Sequence, residues 1–298
     1  MWRIEEHRYK NMKKLSYTIK IFKKRTIHSV RLRYLCKKDT RTMKMKKFIW
    51  PLIALLMVAC GSSKKSAADR YEIPVACSKM PEVYLERMGY TVSFNPKTNI
   101  PNWVAWELNA EKLIERESRN DKFVPDPDIP EHLAITTNEY THSGWDRGHM
   151  CPAGDNRWHW RAMDESFYMT NICPQNHNLN RGDWKELEEA CRRWAAVEPV
   201  YIVCGPILYK SPKYGHIGKR HQIRVPDAFF KVVLTGIESG KPRAVGFVYK
   251  NEEGNYKRDK YVNTIDEVER ITALDFFPAL PDKVEQAIEA TYDLDLWP

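Results

Sequence analysis

The chain has 298 residues, of which 43% are hydrophobic and 29% charged, the proportions of an ordinary globular protein of one large or two small domains. Its formal charge of +9 is uneven: residues 1–59 hold 17 Lys+Arg against 3 Asp+Glu, whereas residues 60–298 hold 31 against 36, a net of −5. The bulk of the chain is mildly acidic, so overall charge gives no argument for nucleic-acid binding, and any such argument must rest on a local site.

Residues 1–42 are rich in Lys and Arg and show no helical or strand periodicity. A basic arm for nucleic acid and an over-extended start both fit, and the second is favoured because Met43 or Met45 is followed by what looks like a protein start. Lys44, Lys46 and Lys47 make a positive n-region, and Phe48 to Val58 is an apolar run too short for the ~20 residues that span a bilayer. Residues 43–60 are therefore expected to be a signal peptide. Its end, Met57-Val58-Ala59-Cys60-Gly61, resembles a bacterial lipobox, which implies a lipid on Cys60 and a membrane anchor in the cell envelope. A plain secretory signal is the alternative, with the protein then secreted. Residues 61–70 begin Gly-Ser-Ser-Lys-Lys-Ser and read as a polar tether.

Outside the cytoplasm disulfides are allowed. Setting aside Cys36 and Cys60 leaves Cys77, Cys151, Cys173, Cys191 and Cys204, an odd number that permits at most two bridges. Cys151 and Cys173 flank the richest polar stretch, so either a staple between them or two buried thiols is compatible with the sequence.

From residue 71 to 298 no repeat, low-complexity break or long linker interrupts the chain, and one domain is expected. Met80 to Gly89 predicts a short helix, and Tyr90 to Phe94 alternates as a strand turned by Asn95-Pro96. Trp103 to Leu108 has tryptophans three apart, as in a helix. Val104, Trp106 and Leu108 alternate, however, and the strand reading is preferred. Asp126-Pro127-Asp128-Ile129-Pro130 must be a loop. Val200 to Cys204 predicts a buried strand stopped by Gly205-Pro206. Phe229 to Thr235 and Arg243 to Tyr249 predict an antiparallel hairpin. Thr264 and Asp282 each stand three residues before a Glu, predicting two capped C-terminal helices. The sum is an α+β fold with a central antiparallel β-sheet flanked by helices.

The stretch from Trp145 to Arg192 carries the chemistry. Gly148 is expected to let the backbone bend sharply so that His149, with a pKa near ~6.5, projects from a strand end as a general base. Asn180 precedes the turn Arg181-Gly182-Asp183, and Asp183 is expected to cap the next helix with Glu186 at its third position. An Asn180 side-chain oxygen can bind a hard cation that keeps most of its waters, which suits Mg²⁺, with Mn²⁺ as the alternative ion. Trp184, Leu187, Cys191 and Trp194 form the core-facing stripe of that helix. Glu188 and Arg192, four apart beside it, reach one neighbourhood. There Glu188 can orient water on the metal and Arg192 can fork onto a phosphate.

Each residue alone has a bland reading: a structural His, an exposed ion pair worth ~0.3–0.5 kcal/mol, a turn Asn. Their combination within 44 residues (149–192) shifts the balance. Two rival readings are a zinc site from His149, Cys151, Cys173 and His177, and a binding module that is not an enzyme.

Asp146-Arg147-Gly148-His149, followed by Asn171, Gln175, Asn180, Gly182, Trp184, Glu188 and Arg192 at their spacings, closely resembles the DNA/RNA non-specific endonucleases. This is the ββα-metal or His-Me finger group that includes the Serratia-type nuclease. The likeness is specific over 145–192 and looser over about 90–280, through Asn102-Trp103-Val104-Ala105, Cys204-Gly205-Pro206 and Asp275-Phe276-Phe277-Pro278. It implies a ββα-metal active site, hydrolysis of DNA and RNA, His149 as base and Asn180 as the sole protein ligand of Mg²⁺. Glu188 would position water on the metal, Arg192 would stabilise phosphate and Asn171 would be a supporting amide. A further arginine upstream of the base corresponds to Arg119, with Arg116 as its rival. Met150-Cys151 after the histidine and the acidic net charge depart from the expected pattern.

Overall fold

A computed structural model describes residues 70–297 of the chain. The basic extension, the signal segment, Cys60 and most of the tether lie outside the described residues. In chain order the strands are β1 (Val75–Ala76), β2 (Val83–Glu86), β3 (Thr91–Asn95), β4 (Ile100–Leu108), β5 (Asp146–His149), β6 (Ile172–Gln175) and β7 (Val200–Ile207). Then come β8 (His216–Ile217), β9 (Ile223–Arg224), β10 (Ala228–Thr235), β11 (Arg243–Lys250), β12 (Val262–Asn263) and β13 (Leu274–Asp275). The helices are α1 (Trp160–Ser166), α2 (His177–Arg181), α3 (Asp183–Ala195), α4 (Ile265–Thr272) and α5 (Asp282–Glu289).

Seven strands form one antiparallel sheet in the order β12-β11-β10-β7-β4-β3-β2. Its central strands are apolar on both faces because both faces are covered. Val104, Trp106, Ile202, Phe229 and Phe247 pack beneath Trp184, Leu187, Cys191 and Trp194 of α3. Trp103, Ala105, Val203, Phe230 and Val232 point the other way, towards Ile265 and Val268 of α4 and the Phe276-Phe277 segment. Period-2 alternation sends neighbours to opposite cores, which explains how β4 offers both an alternating and a continuous apolar pattern. Full burial of one such side chain contributes ~1.5–3 kcal/mol.

The expected α+β class, the loop over 126–130 and the hairpin from β10 to β11 are present. Met80 to Gly89 is not a helix. It contains β2, whose Val83 and Leu85 alternate towards the core while the strand pairs with β3, so tertiary pairing overrides local helix preference. β7 does not stop at Gly205 but runs through Pro206 to Ile207. Past Cys204 it no longer pairs with β4 but only with β10, so the proline's missing N–H falls on a locally unpaired edge.

Thr264 caps α4 as expected, accepting the N–H of Glu267 at 3.2 Å. Asp282 and Asp183 do not cap. Each is the first residue inside its helix, after Pro281 and Gly182 respectively. The Asp183 carboxylate instead accepts the backbone N–H of Asn255 at 2.8 Å and the Tyr261 hydroxyl, tying α3 to the segment before β12.

Over the α3 face lies a second, small sheet. β5 and β6 pair antiparallel with Gly148 opposite Cys173 and His149 opposite Ile172, and α2 follows β6. This ββα unit stands on the sheet through α3. Gly148 does not make the expected bend. It sits in regular strand pairing, and a Cβ there would lie 2.1 Å from Gln175 Oε1, so glycine is needed for close approach of β6. Cys151, Cys173, Cys191 and Cys204 are buried thiols, and no disulfide joins them.

Candidate active site

A cleft of about 420 Å³ opens where the ββα unit meets one side of α3. The connection between β4 and β5 supplies Arg119 and Phe123, β5 supplies Asp146, Arg147 and His149, α2 supplies Asn180 and Arg181, and α3 supplies Lys185, Glu188 and Arg192. Five basic side chains line the cleft against two carboxylates, so the net-acidic stretch of residues 60–298 carries a locally positive groove. The structure thus gathers His149, Asn180, Glu188, Arg192 and Arg119 into one space, while Arg116 is exposed and outside that lining.

His149 ends β5 with its ring held between two aromatics, 5.2 Å from the Phe123 centroid and 4.9 Å edge-on to Phe167. Its Nε2 is shielded and makes no hydrogen bond to protein. Burial disfavours the imidazolium, the cations of Arg119 and Arg147 add repulsion that Asp121 only partly offsets, and the group is pushed down to about 3. At neutral pH the imidazole is therefore uncharged and able to accept a proton. Arg147 lies over the Phe123 ring at 4.5 Å and Arg119 over Phe167 at 5.3 Å, so both guanidinium groups are steered to the cleft by the aromatics that hold the base. Arg119 is also paired with Asp121 at 2.7 Å.

Asn180 lies on the last turn of α2, ahead of the turn at Gly182 that leads into α3; Arg181 belongs to the helix and not to that turn. Its Nδ2 donates to Asp146 Oδ2 at 3.0 Å. An amide that gives its nitrogen to a carboxylate must present its oxygen elsewhere, so Asp146 fixes the orientation and leaves Oδ1 available to another partner. Burial alone would raise Asp146, but the bonds from Asn180 and His177, with the charge of Arg181, outweigh it and hold the carboxyl below its usual range. Asp146 stands in the motif yet gave no role on sequence grounds, because its partners arrive from another strand-helix junction.

Glu188 and Arg192 do not pair with each other. Arg192 Nη1 donates to Asp155 Oδ1 at 2.9 Å, and Asp155 is buried with its other oxygen on Trp106 Nε1 at 3.0 Å. Gly154 admits that guanidinium, since a Cβ would stand 2.9 Å from Arg192 Nη1. Beneath Glu188 is Lys231, fully buried in mid-strand, with Nζ 4.3 Å from the Trp184 ring centroid and no hydrogen-bond acceptor. Burial works against its charge, but Glu188, the thiols of Cys204 and Cys191, and Asp155 hold its pKa above the ordinary lysine value. The one sequence signal for Lys231 is a lysine inside Phe229-Phe230-Lys231-Val232-Val233; Asp155 has none.

Burial pushes Glu188 up to about 7 despite the attraction of Lys231. A carboxyl raised in the folded state above its unfolded value of ~4.3 favours folding at low pH, and that contribution is lost as pH rises through about 7. Glu188→Gln is therefore expected to raise Tm at pH 8 by on the order of 2–4 °C, with the gap over wild type closing below pH 4.5. Thermal unfolding of both proteins at the two pH values checks this, and equal Tm values at pH 8 would contradict it.

Asn171 is fully buried and does not line the cleft. Its Nδ2 donates to Cys151 O and Ser166 O, each at 2.8 Å, and its Oδ1 accepts the Cys151 N–H at 2.9 Å. With both N–H groups used, it holds the chain just after His149 and is a positioning residue. The zinc reading has no support: among the described residues, the groups of three or more His, Cys, Asp or Glu spaced to hold a metal include none of His149, Cys151, Cys173 and His177.

The profile of the DNA/RNA non-specific endonuclease family matches residues 71–283. The chain is 36% identical over 218 residues to "Nuclease EXOG, mitochondrial" of Danio rerio, covering 67% of this chain and 63% of that protein. It is 32% identical over 227 residues to "Nuclease" of Nostoc sp., covering 72% and 80%. Among solved structures, the EndoG/EndoGI complex, whose subject is EndoG inhibition, matches with a TM-score of 0.62 and 28% identity, covering 67% of this chain and 87% of that one.

Proposed function

Because this chain belongs to the DNA/RNA non-specific endonuclease family, we propose that it hydrolyses phosphodiester bonds in both DNA and RNA in a Mg²⁺-dependent reaction. The matched region spans just under two thirds of the EXOG relative's length, so the activity is argued from this chain's own cleft. One observation carries it. His149, an uncharged imidazole, and Asn180, whose amide orientation is set by a carboxylate, line the same groove as five basic side chains.

The residues fit a hard divalent cation. Asn180 offers one neutral oxygen, Glu188 a nearby carboxylate, and neither thiol nor second imidazole competes. Asn180 would hold Mg²⁺, with Glu188 accepting hydrogen bonds from the waters that complete its shell, and the bound ion would neutralise charge on the phosphate and its leaving oxygen. His149 takes the proton from the water that attacks phosphorus in line. Phe123 and Phe167 keep its ring in place and water away from the imidazole face. Landing of the phosphate between Arg119 and Arg147 cancels the repulsion that depresses His149, so the base strengthens when substrate is present. Arg192, braced by Asp155, adds a fixed cation for charge that develops in the transition state. These contacts read phosphate, not base or sugar, which is consistent with cleavage of either nucleic acid.

The purified protein should nick supercoiled plasmid and degrade single-stranded RNA in Mg²⁺, with Mn²⁺ as an alternative ion, and stop on addition of EDTA. A pure, folded preparation that leaves both polymers intact across pH 6–9 and both metals would instead favour a binding module on the same fold.

A further inference from the structure

Lys231 stands where an apolar side chain would be expected. It lies in mid-strand on β10, and Phe229 and Val233, which share its face, belong to the core under α3. It is fully buried, and its Nζ reaches no hydrogen-bond acceptor. Two rings enclose the amine instead, with Nζ 4.3 Å from the Trp184 centroid and 5.7 Å from that of Trp106. Such contacts recover part of the lost hydration, but an ammonium without hydrogen bonds stays costly to bury. A methionine would fill the same space without that cost, so core packing does not account for the charge.

What the charge faces is the floor of the cleft. Trp184, Glu188 and Cys191 follow one another at four- and three-residue spacing and share one side of α3. Lys231 meets that side at Trp184, one turn from Glu188, which lines the cleft. Among the charges acting on Lys231, that of Glu188 is the largest, and among those acting on Glu188, that of Lys231 is. Asp155 opposes ionisation of Glu188, while Arg192 and Arg119 favour it less strongly than Lys231 does. Burial pushes the neighbouring thiols of Cys191 and Cys204 up to about 12, so they are neutral and offer Lys231 no counter-charge. We infer that Lys231 is a positioning residue for the reaction, an internal counter-charge beneath the cleft that keeps Glu188 a carboxylate. In that form both oxygens of Glu188 accept hydrogen bonds from water; protonated, one of them becomes a donor. The consequence for activity rests on the function proposed above, whereas the charge pairing itself does not.

The test is Lys231→Met, read first by thermal unfolding in EDTA between about pH 5.5 and 9. At the acid end Glu188, which titrates at about 7, is neutral and wild-type Lys231 has lost its main partner, so the variant should match or exceed the wild-type Tm. At pH 9 the variant must bury a carboxyl with no ammonium beside it, and its Tm should fall at least ~3 °C below wild type. In plasmid cleavage with Mg²⁺, the acid limb of kcat/KM should move up by at least ~1 pH unit, with a ~10-fold loss at pH 7 that is largely recovered at pH 9. In the Glu188→Gln background the same substitution should leave the profile unmoved. A merely structural role would lower the rate at every pH alike. Lys231→Gln replaces Lys231→Met in these measurements if the latter does not fold. In the wild-type protein, the Lys231 ¹⁵Nζ resonance should still report an ammonium at about pH 9.5, where a buried lysine without a counter-charge is neutral. Parallel Tm curves, an unmoved acid limb or a neutral amine at that pH would overturn the inference. Unfolding and resonance need no nuclease activity, so failure of the proposed function and failure of this inference are separate outcomes.

Discussion

His149→Ala is expected to lose ~10²–10⁴-fold in kcat on plasmid DNA and on RNA while keeping the wild-type Tm within a few degrees. The large effect follows from the way the base is prepared. Its ring is already oriented by Phe123 and Phe167, its Nε2 spends no hydrogen bond on the protein, and its charge state at neutral pH needs no adjustment. Nothing else lining the cleft is a neutral imidazole; the remaining bases there are cationic or carboxylate. The fold should tolerate the change because His149 sits at the end of β5, and the pairing of Gly148 with Cys173 and the Asn171 bonds to Cys151 remain. The pH profile gives a second reading. A base held at a low pKa imposes no acid limb near 6.5, so any fall in kcat/KM near pH 7 belongs to Glu188 and should move in Glu188→Gln. Cleavage by His149→Ala at the wild-type rate would sink the assignment of the base.

Asp146→Ala is expected to raise the Mg²⁺ concentration for half-maximal activity by ~10–100-fold, with kcat restored in excess Mg²⁺. Asp146 touches Asn180 through Nδ2, and its loss frees the amide to turn nitrogen as readily as oxygen towards the cleft. Asn180→Ala, by contrast, removes the oxygen itself and should not recover at any Mg²⁺ concentration. The two variants separate orientation from ligation. If Asp146→Ala showed the wild-type metal dependence, or Asn180→Ala recovered fully in excess Mg²⁺, the reading of Asn180 as the ion's ligand would fail. His177 and Arg181 also border Asp146, so His177→Ala, which leaves the Asn180 bond in place, is the control expected to change metal dependence little.

Much of the candidate site is legible along the chain because the ββα unit is local. His149, Asn180, Glu188 and Arg192 fall within one stretch of strand, strand and helix, and period and spacing place them together. The support behind them is not local. Asp155 reaches Arg192 across 37 positions and Trp106 across 49, and Lys231 comes from a strand beyond α3. Residues that serve through another residue leave no spacing signature of their own. For the same reason Asn171 reads as an active-site amide in sequence and becomes a buried brace in the fold.

The secondary structure divides the same way. The hairpin from β10 to β11, the apolar stripe of α3 and the Thr264 cap depend on contacts within a few residues or one turn, and the sequence by itself determined them. β2 as a strand, the run of β7 through Pro206, the work of Asp183 outside its own helix and the reason for Gly148 depend on which neighbour lies alongside. Those were decided only by the tertiary structure, because backbone partners and close packing are supplied by chain that is distant in sequence. The acidic balance of residues 60–298 and the basic cleft are the sharpest case. Net charge is a property of the sequence, but the sign of the field at one groove depends on which side chains the fold gathers there.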